Sequence, residues 1–158
     1  MRIADKSDID QLYGIYSHES VSPFMGFDPC SRKEFEELFP ELLEGGELCV
    51  LEEGKEIIAV CKIVRRKHRL KHSAYIGSLA VKHTHQNQGV GNQFFSDALS
   101  LLKSEGLKRV ELLVAADNDV AIKFFKRFGF VVEGTHNNYF SRAGSSELFA
   151  EHTMAWLQ

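Results

Sequence analysis

A strand that enters a glycine-containing turn, from which a helix then begins, constrains the fold of this sequence more than any other segment. Leu79–Val81 is apolar, Gln86–Gly91 (QNQGVG) forms the turn, and apolar residues recur at helical spacing from Val90 onward. The first amides of a helix have no intrahelical partner and lie at the positive end of its dipole, and glycines let a ligand approach the backbone. The segment therefore indicates a cradle for a phosphate or pyrophosphate group. Its spacing is neither that of a Walker A loop nor GxGxxG, and by itself it is equally compatible with an ordinary loop-to-helix turn.

Antiparallel hairpins precede this turn, and alternating strands and helices follow it. The apolar periodicities predict the order β-α-α-β-β-β-α-β-α-β-β. The helices are expected to begin near Ser7, Ser31, Val90 and Asn118. The predicted strands are residues 1–4, Leu48–Glu52, Ile57–Val64, Ala74–Val81, Val110–Ala115, Phe130–Glu133 and Leu148–Leu157. This order predicts an α/β (α+β) fold with a mixed, mostly antiparallel sheet and helices on both of its faces.

Two of these segments carry further expectations. Val110–Ala115 is nearly all apolar, so we expect a central strand that is buried on both faces of the sheet. Tyr139–Ser146 is expected to form the turn between the last two strands.

Composition and charge limit the class of protein. The 158 residues, of which 44% are hydrophobic and 26% charged, correspond to one domain spanning residues 1–158. No window approaches ~18 consecutive apolar residues, which excludes a transmembrane helix, and the N-terminus lacks an apolar signal-peptide core, so we expect a cytoplasmic protein. The net charge of −3 gives no general reason to bind nucleic acid or an anionic membrane. The three cysteines have no CxxC spacing, and His83 and His85 have no third ligand at a useful spacing, so we expect neither a disulfide framework nor a metal site.

A second motif follows the next predicted strand. Residues 118–130 read NDVAIKFFKRFGF. The pair Q-x-x-G-x-G from Gln86 and N-x-x-A-I-x-F-F-x-x-x-G-F from Asn118, each between a strand and a helix, resembles the GCN5-related N-acetyltransferase (GNAT) family. The resemblance covers the element order of nearly the whole chain, and its specific part is Gly77–Gly134. It implies the GNAT (acyl-CoA N-acyltransferase) fold, with acetyl-CoA as the acetyl donor.

In that family the first motif holds the pyrophosphate of acetyl-CoA, and the second flanks its pantetheine and thioester. The third hairpin strand also splays from the strand after the helix, and the pantetheine lies in that gap. A free backbone N–H there would polarise the thioester carbonyl. Asn118 is equally well explained as a helix N-cap, and the two roles are compatible. The resemblance thus implies a cofactor site made of Leu79, Ala80, Val81, Gln86, Asn87, Gln88, Gly89, Val90, Gly91, Asn92, Asn118 and Phe125.

Two residues depart from the family's pattern. Many members have arginine where this chain has Gln86, so we expect modestly weaker pyrophosphate binding. Many members have a tyrosine that protonates the departing thiolate where this chain has Phe125. General acid catalysis contributes about 10²–10⁴-fold, yet a thiol is a tolerable leaving group without it. With Tyr139 or water as the acid, we expect slow turnover rather than inactivity.

The general base is not evident either. Some relatives place a glutamate on the strand before the turn, but Tyr75–Leu79 (YIGSL) has none. Glu19, His83 and His85 are the candidates for the general base. For Glu19, the interpretation as a solvated charge on a loop is favoured. Two alternatives need no such side chain: a relay of ordered water molecules, or an acceptor amine that arrives neutral.

The acceptor is expected to be a primary amine of a small molecule that attacks directly, and a free amino acid is the first hypothesis. The C-terminal part of the chain is similar to that of family members that acetylate small amines, including free amino acids. The similarity lies in Glu133-Gly134-Thr135, Tyr139, Gly144 and Met154. The expected pocket walls are the turn at 135–146 and three apolar residues of the 19–30 loop, Phe24, Met25 and Phe27. Phe24 and Met25 are equally well explained as core residues. A homodimer formed through the terminal strands is expected only by analogy, because such dimers are common on this fold.

Three other functions stay open. The first is acetylation of a protein or peptide N-terminus, which an open groove would favour over a narrow apolar pocket. The second is a non-catalytic acyl-CoA-binding module, suggested by the missing tyrosine and glutamate. The third is nucleic-acid binding through the basic cluster at Arg65–Lys71 (RRKHRLK), although a charged hairpin that protects sheet edges is the better interpretation of that cluster.

Overall fold

A computed structural model describes residues 1–158 of the chain. Its elements follow the predicted order. The strands are β1 (Arg2–Ile3), β2 (Glu47–Glu53), β3 (Glu56–Arg65), β4 (Ser73–Val81), β5 (Arg109–Ala115), β6 (Val131–Ser141) and β7 (Leu148–Leu157). The helices are α1 (Ile9–Tyr16), α2 (Arg32–Leu43), α3 (Val90–Ser104) and α4 (Asp119–Arg127). None of the helices combines the length and hydropathy that a membrane crossing requires.

The seven strands form one sheet in the order β1-β2-β3-β4-β5-β7-β6. Only β4 and β5 are parallel neighbours, because α3 carries the chain across between them; every other pair is antiparallel. Helices cover both faces. α3 and α4 pack on one core with residues such as Phe95 and Phe125, and α1 and α2 pack on the other with residues such as Tyr16 and Phe35. The predicted mixed, mostly antiparallel α/β fold is confirmed.

The parallel pair β4–β5 is short and then diverges. The two strands pair only from Ser73 opposite Arg109 to Tyr75 opposite Glu111. Farther along, β5 stays paired with β7 up to Ala115, whereas β4 continues to Val81 without β5 beside it. The sheet therefore opens into a gap at the end where α3 begins.

A bulge bends β4 at this gap. β3 pairs with β4 through Lys62 opposite Gly77 and Val60 opposite Ala80, so two β4 residues oppose the single residue between them. Ser78 is one of the two and has a φ of 51°, in the left-handed region that non-glycine residues rarely adopt. Bulges increase local twist and are common beside active sites. The bulge gives a physical reason for the divergence of β4 from β5.

The capping residue predicted from the sequence is confirmed for α2 but not for α1. Ser31 accepts a hydrogen bond from the Glu34 amide at 3.3 Å, and Glu34 Oε2 accepts from the Ser31 amide at 2.7 Å, so the predicted capping box before α2 is present. The first helix differs from the prediction. Asp5 rather than Ser7 begins it, because Asp5 Oδ1 caps a single 3-10 turn that leads into α1.

Two strands differ from their predicted form. β6 runs to Ser141 rather than ending at Glu133, so Tyr139 lies on a strand and not in a turn. It is an edge strand with nearly all of its residues exposed, so it lacks the apolar alternation that would have revealed its length. The prediction that β5 is buried on both faces is wrong. Val110, Leu112 and Val114 are in the core, but the opposite face is only half-buried, because no helix packs on it.

Candidate active site

Two cavities meet at the gap between β4 and β5. The turn cavity, about 530 Å³, lies against the turn before α3 and one side of α4. The sheet cavity, about 620 Å³, lies over the ends of β5 and β7. Both volumes are in the range of small-molecule sites. The cavities share six lining residues at their junction: Phe24, Met25, Leu79, Asn118, Ala121 and Phe125. Two ligands, one in each cavity, would therefore meet at this junction.

The start of α3 supplies unpaired backbone donors to the turn cavity. Gly89 has a φ of 85°, a left-handed conformation that glycine adopts without strain, and it starts the helix with no side-chain cap. The amides of Val90, Gly91 and Asn92 have no hydrogen-bond partner in the protein. Gly91 has no side chain to cover them. This arrangement fits a phosphate or pyrophosphate group, as the turn sequence predicts.

Most of the predicted cofactor residues line the turn cavity. Gln88 and Val90 do not: the Gln88 side chain donates to the Thr84 carbonyl at 2.8 Å, and Val90 packs against the core. The residues that the structure brings together there are Leu79, Ala80, Val81, Gln86, Asn87, Gly89, Gly91, Asn92, Asn118 and Phe125.

Gln86 has a structural partner on each side of the turn cavity. Its Nε2 donates to the Val81 carbonyl and to Ser20 Oγ, both at 3.0 Å. The residue thus fastens the loop after α1 to the end of β4. The cation that lines this cavity is Arg127 of α4, which donates to Asn92 Oδ1 at 3.3 Å. Sequence reasoning did not identify Arg127.

The junction is formed by the start of α4. Asn118 Oδ1 accepts a hydrogen bond from the Ala121 amide at 3.1 Å, so the N-cap prediction is confirmed. Phe125 is 8% exposed and packs against Phe95 and Phe130, with ring centroids 5.3 and 6.1 Å away. Its remaining surface faces both cavities. A phenylalanine here gives the junction an apolar wall without a proton donor.

The sheet cavity is closed on one side by the loop between α1 and α2. Phe24, Met25 and Phe27 all line it, as expected for an acceptor pocket. Met25 and Phe27 also pack on the core beneath α1 and α2, so the two interpretations of Met25 are compatible. Phe24 is 49% exposed and belongs to neither core.

Arg142 joins this loop to the opposite wall. It follows β6 and forms a two-pronged ion pair with Asp117, at 2.6 and 2.8 Å, in the turn between β5 and α4. Its guanidinium also lies over the Phe24 and Phe149 rings, 5.9 and 4.2 Å from their centroids. Beside it, Asp28 Oδ1 accepts a hydrogen bond from the Ala143 amide at 3.2 Å. Arg142 and Asp28 therefore connect the rim of the sheet cavity, and neither was singled out from the sequence.

The two predicted catalytic residues lie in different places. Tyr139 lines the sheet cavity from β6 and is 54% exposed. Glu19 is exposed on the loop after α1 and lines neither cavity. His83 and His85 also lie outside both cavities. His83 stacks on His18 with centroids 4.1 Å apart, and His85 Nε2 is 3.5 Å from Glu53.

A carboxylate that sequence reasoning missed lines the sheet cavity. Glu151 of β7 is half-buried there, and burial raises the pKa of its carboxyl group. Tyr75 of β4 lies nearby, and burial raises the pKa of its phenol, with the Glu151 charge adding to that effect. The side chain of Tyr75 extends over Gly77, where an added Cβ would lie 2.6 Å from the ring. No local motif marks Glu151, because long-range strand pairing alone brings it to the cavity.

The other chemical candidates have structural roles. In the basic cluster, Arg65 pairs with Glu47 and Glu105 at 2.7 Å, and Arg66 lies 3.7 Å from Glu111. The cluster is at the end of β4 opposite the turn cavity. No group of three His, Cys, Asp or Glu side chains is placed to hold a metal ion.

The chain is similar to known acetyltransferases in sequence and in fold. The profile of the Acetyltransferase (GNAT) family matches residues 12–130. A Bacillus subtilis (strain 168) protein provisionally named as a ribosomal protein bS18-alanine N-acetyltransferase is 27% identical over 143 residues, covering 89% of this chain and 86% of that protein. The L-amino acid N-acetyltransferase AaaT of Escherichia coli (strain K12) is 33% identical over 82 residues, covering 51% of this chain and 50% of that protein.

A solved structure shows the same fold. A chimera of spermidine N-acetyltransferase SpeG from Vibrio cholerae and hSSAT superposes with a TM-score of 0.81 at 21% identity, covering 99% of this chain and 93% of that one. The family profile spans both sequence motifs and most of the sheet. The chain therefore belongs to the GNAT family of acetyltransferases.

Proposed function

We propose that this enzyme transfers the acetyl group of acetyl-CoA to the primary amine of a small molecule, with a free amino acid as the first candidate. The observation that carries the proposal is the junction of two cavities at the gap between β4 and β5. One cavity ends at unpaired helix amides suited to a pyrophosphate, and the other ends at an apolar pocket of limited size. A donor and an acceptor would thus meet at one point.

The turn cavity provides for the donor. The amides of Val90, Gly91 and Asn92 hold the pyrophosphate, and Arg127 supplies a positive charge beside them. The edge of β4 that β5 leaves unpaired holds the pantetheine by backbone hydrogen bonds. Acetyl-CoA supplies an acetyl group that is already activated as a thioester. A backbone N–H on this edge, near the bulge at Ser78, polarises the thioester carbonyl.

The sheet cavity provides for the acceptor. Phe24, Met25 and Phe27 exclude water on one side, and the rim contacts of Arg142 and Asp28 limit the size of what enters. The amine nitrogen forms a bond to the carbonyl carbon as the bond to sulfur breaks, with no covalent bond to the protein. No cysteine lines either cavity, and burial raises the pKa of the Cys49 and Cys61 thiols, which disfavours an acyl-cysteine route.

The leaving thiolate has no acid at the position of Phe125. Tyr139, which lines the sheet cavity, or water takes that role. Slow turnover is the consequence, because general acid catalysis contributes about 10²–10⁴-fold when it is present.

Acetylation of a peptide N-terminus is the second candidate. It is favoured by the face of β5 that carries Glu111, which is half-buried and lies outside the cavity, because no helix covers the sheet there. A polypeptide could extend along this face from an amine held at the junction. The Bacillus subtilis relative, whose name specifies a ribosomal protein alanine, is consistent with it.

Thiol release measured with a panel of acceptors tests both candidates. The purified protein is incubated with acetyl-CoA and with free L-amino acids, polyamines, or peptides that begin with the same amino acids, and products are identified by mass. The proposal predicts a higher kcat/KM for a free amino acid than for a peptide that has the same amino acid at its N-terminus. The second candidate predicts a higher kcat/KM for the peptide. Binding of acetyl-CoA without thiol release for any amine would contradict both and indicate a non-catalytic acyl-CoA-binding module.

A further inference from the structure

Glu151 is a carboxylate without a partner in the sheet cavity. Two acidic residues line that cavity, Asp28 and Glu151. Asp28 accepts a hydrogen bond from the Ala143 amide on the rim. Glu151 has no hydrogen bond and no ion pair to any residue, and burial is the main influence on its carboxyl group. A half-buried carboxylate without a partner is costly to the folded protein, which suggests a ligand with a matching charge.

Strand pairing places Glu151 next to the cavity junction. On one side it lies opposite Ala115, the last residue of β5, and on the other it lies opposite His136 of β6. Directly opposed residues have Cβ atoms about 4.5–5.5 Å apart. Asn118, which lines the junction, follows Ala115 after a short turn, and the Asn118 amide donates to the Ala115 carbonyl at 2.9 Å. Glu151 is therefore at the side of the cavity from which an acceptor would approach the thioester.

None of the groups around Glu151 forms an ion pair with it, although the charge of His136 partly opposes the effect of burial on its pKa. Tyr75 faces it from β4, and His136 faces it from β6. Tyr139 of β6 lines the same cavity and lies near Tyr75. On β5, Glu111 is paired with Arg66 and Arg109. No lysine or arginine forms an ion pair with Glu151; Arg66 and Arg109 pair with Glu111 instead.

We propose that Glu151 binds the ammonium group of the acceptor amine and takes up its proton, so that the sheet cavity selects acceptors that arrive as cations. This inference rests on the proposed function and adds to it a residue and a charge requirement. The other candidate bases are less well placed, since Glu19, His83 and His85 line neither cavity.

The proton balance of the step is complete. The ammonium group gives one proton to the Glu151 carboxylate and becomes a neutral amine with a free electron pair. The nitrogen forms a bond to the acetyl carbon, and the carbon–sulfur bond breaks with its electron pair on sulfur. The nitrogen then loses a second proton, which the thiolate receives through Tyr139 or water. Glu151 returns its proton to solvent, so that one acetamide, one thiol and one proton are the net products.

The test compares two nucleophiles with different protonation states. Free L-amino acids together with a peptide that begins with alanine arrive as ammonium ions, whereas hydroxylamine is largely uncharged at neutral pH. Thiol release above the uncatalysed rate is measured with each for the wild type, for Glu151→Gln and for Glu147→Gln. Glu147 is an exposed carboxylate on the turn before β7 and serves as the matched control. Calorimetric titration of acetyl-CoA into each protein checks that the turn cavity is intact.

We expect Glu151→Gln to lower kcat/KM for the ammonium acceptors by about 10²–10⁴-fold. Hydroxylamine-dependent release and acetyl-CoA binding should match the wild type, and Glu147→Gln should behave as the wild type throughout. In the wild type, kcat/KM for the ammonium acceptors should fall as the pH drops through the raised pKa of Glu151, because the protonated carboxyl group cannot accept a proton. In Glu151→Gln the inflection at the pKa of Glu151 should be absent, and the rate should instead follow the fraction of the amine that is neutral.

Two results would overturn the inference alone. One is an undiminished rate of Glu151→Gln with the ammonium acceptors. The other is an equal loss with both nucleophiles, which would indicate a structural role. Failure of the wild type to release thiol with either nucleophile, although it binds acetyl-CoA, would overturn the proposed function and this inference together.

Discussion

At the scale of single residues, the chemistry of the site depends on backbone groups and on a few side chains at the junction. The amides of Val90, Gly91 and Asn92 are insensitive to side-chain identity, so the proposed pyrophosphate site does not require an arginine at Gln86, whose side chain donates to the Val81 carbonyl and to Ser20. Phe125 has the opposite character: its side chain faces both cavities and cannot donate a proton.

A tyrosine at this position should therefore restore an acid. We expect Phe125→Tyr to raise kcat for thiol release, by about 10²-fold if its hydroxyl reaches the leaving sulfur. Phe128→Tyr is the matched control, because Phe128 lies at the C-cap of the same helix, packs against Phe95 and lines neither cavity. Steady-state kinetics with saturating acetyl-CoA measures the effect. An unchanged kcat in Phe125→Tyr would show that protonation of sulfur does not limit the reaction.

The sequence predicted lining residues of both cavities but missed the carboxylate of Glu151. The turn and its helix are local, so Gly89 and Gly91 are recognisable from spacing as a possible phosphate site, and Asn118 is recognisable from the resemblance to the GNAT family. Glu151 is not, because its place depends on pairing with Ala115 and His136, which lie far from it in sequence. A glutamate in a strand with no motif around it gives no local signal.

At the scale of elements, the gap between β4 and β5 creates the site. The strands diverge after three paired residues, and the bulge at Ser78 bends β4 at that place. The order of elements was predictable, since it follows apolar periodicity. The extent of β6 was not, because an exposed edge strand has no buried face to produce alternation. Its extra length matters, since it moves Tyr139 onto a strand and brings Arg142 to Asp117.

The Arg142 contacts should control acceptor binding more than donor binding. Arg142→Gln removes the ion pair with Asp117 and loosens the loop that contains Phe24. We expect KM for the acceptor to rise by up to about 10-fold, the effect of losing about 1.4 kcal/mol from one charged, hydrogen-bonded pair. The Kd for acetyl-CoA should stay the same.

Arg32→Gln is the control for that variant, because Arg32 pairs with Asp10 and Glu36 on the surface of α2, away from both cavities. Kinetics with varied acceptor and calorimetry with acetyl-CoA separate the two effects. An acceptor KM equal to that of the wild type would show that the rim contacts do not shape the pocket.

At the scale of the whole molecule, an aromatic cluster joins the elements that carry the site. Phe95 of α3 is fully buried and packs against Phe124 and Phe125 of α4, against Phe128 at the C-cap of α4, and against Phe130 before β6. It thus fixes the cradle helix and the junction helix relative to each other. Both motifs of the sequence depend on this one contact region, which explains why phenylalanine is so frequent between residues 94 and 130.

Truncation of this residue should destabilise the fold strongly. We expect Phe95→Ala to reduce the free energy of unfolding by about 3–5 kcal/mol, because it leaves a cavity among four rings. Urea unfolding monitored by circular dichroism measures the loss. Val120→Ala is the control, since Val120 is 81% exposed on α4. A loss in Phe95→Ala no larger than that in the control would contradict this role of the cluster.

The most direct test of the central claim is a calorimetric titration of acetyl-CoA into the wild type and into Gly91→Val. Gly91 has an ordinary helical φ, and a Cβ there would only touch Val81, at 3.4 Å, and Phe124, at 4.0 Å. The variant should therefore fold while its side chain covers the free amides. We predict saturable binding to the wild type and a large loss of affinity in the variant with an unchanged circular dichroism spectrum. Equal affinity in both proteins, or no binding to the folded wild type, would contradict the assignment of the turn cavity to acetyl-CoA.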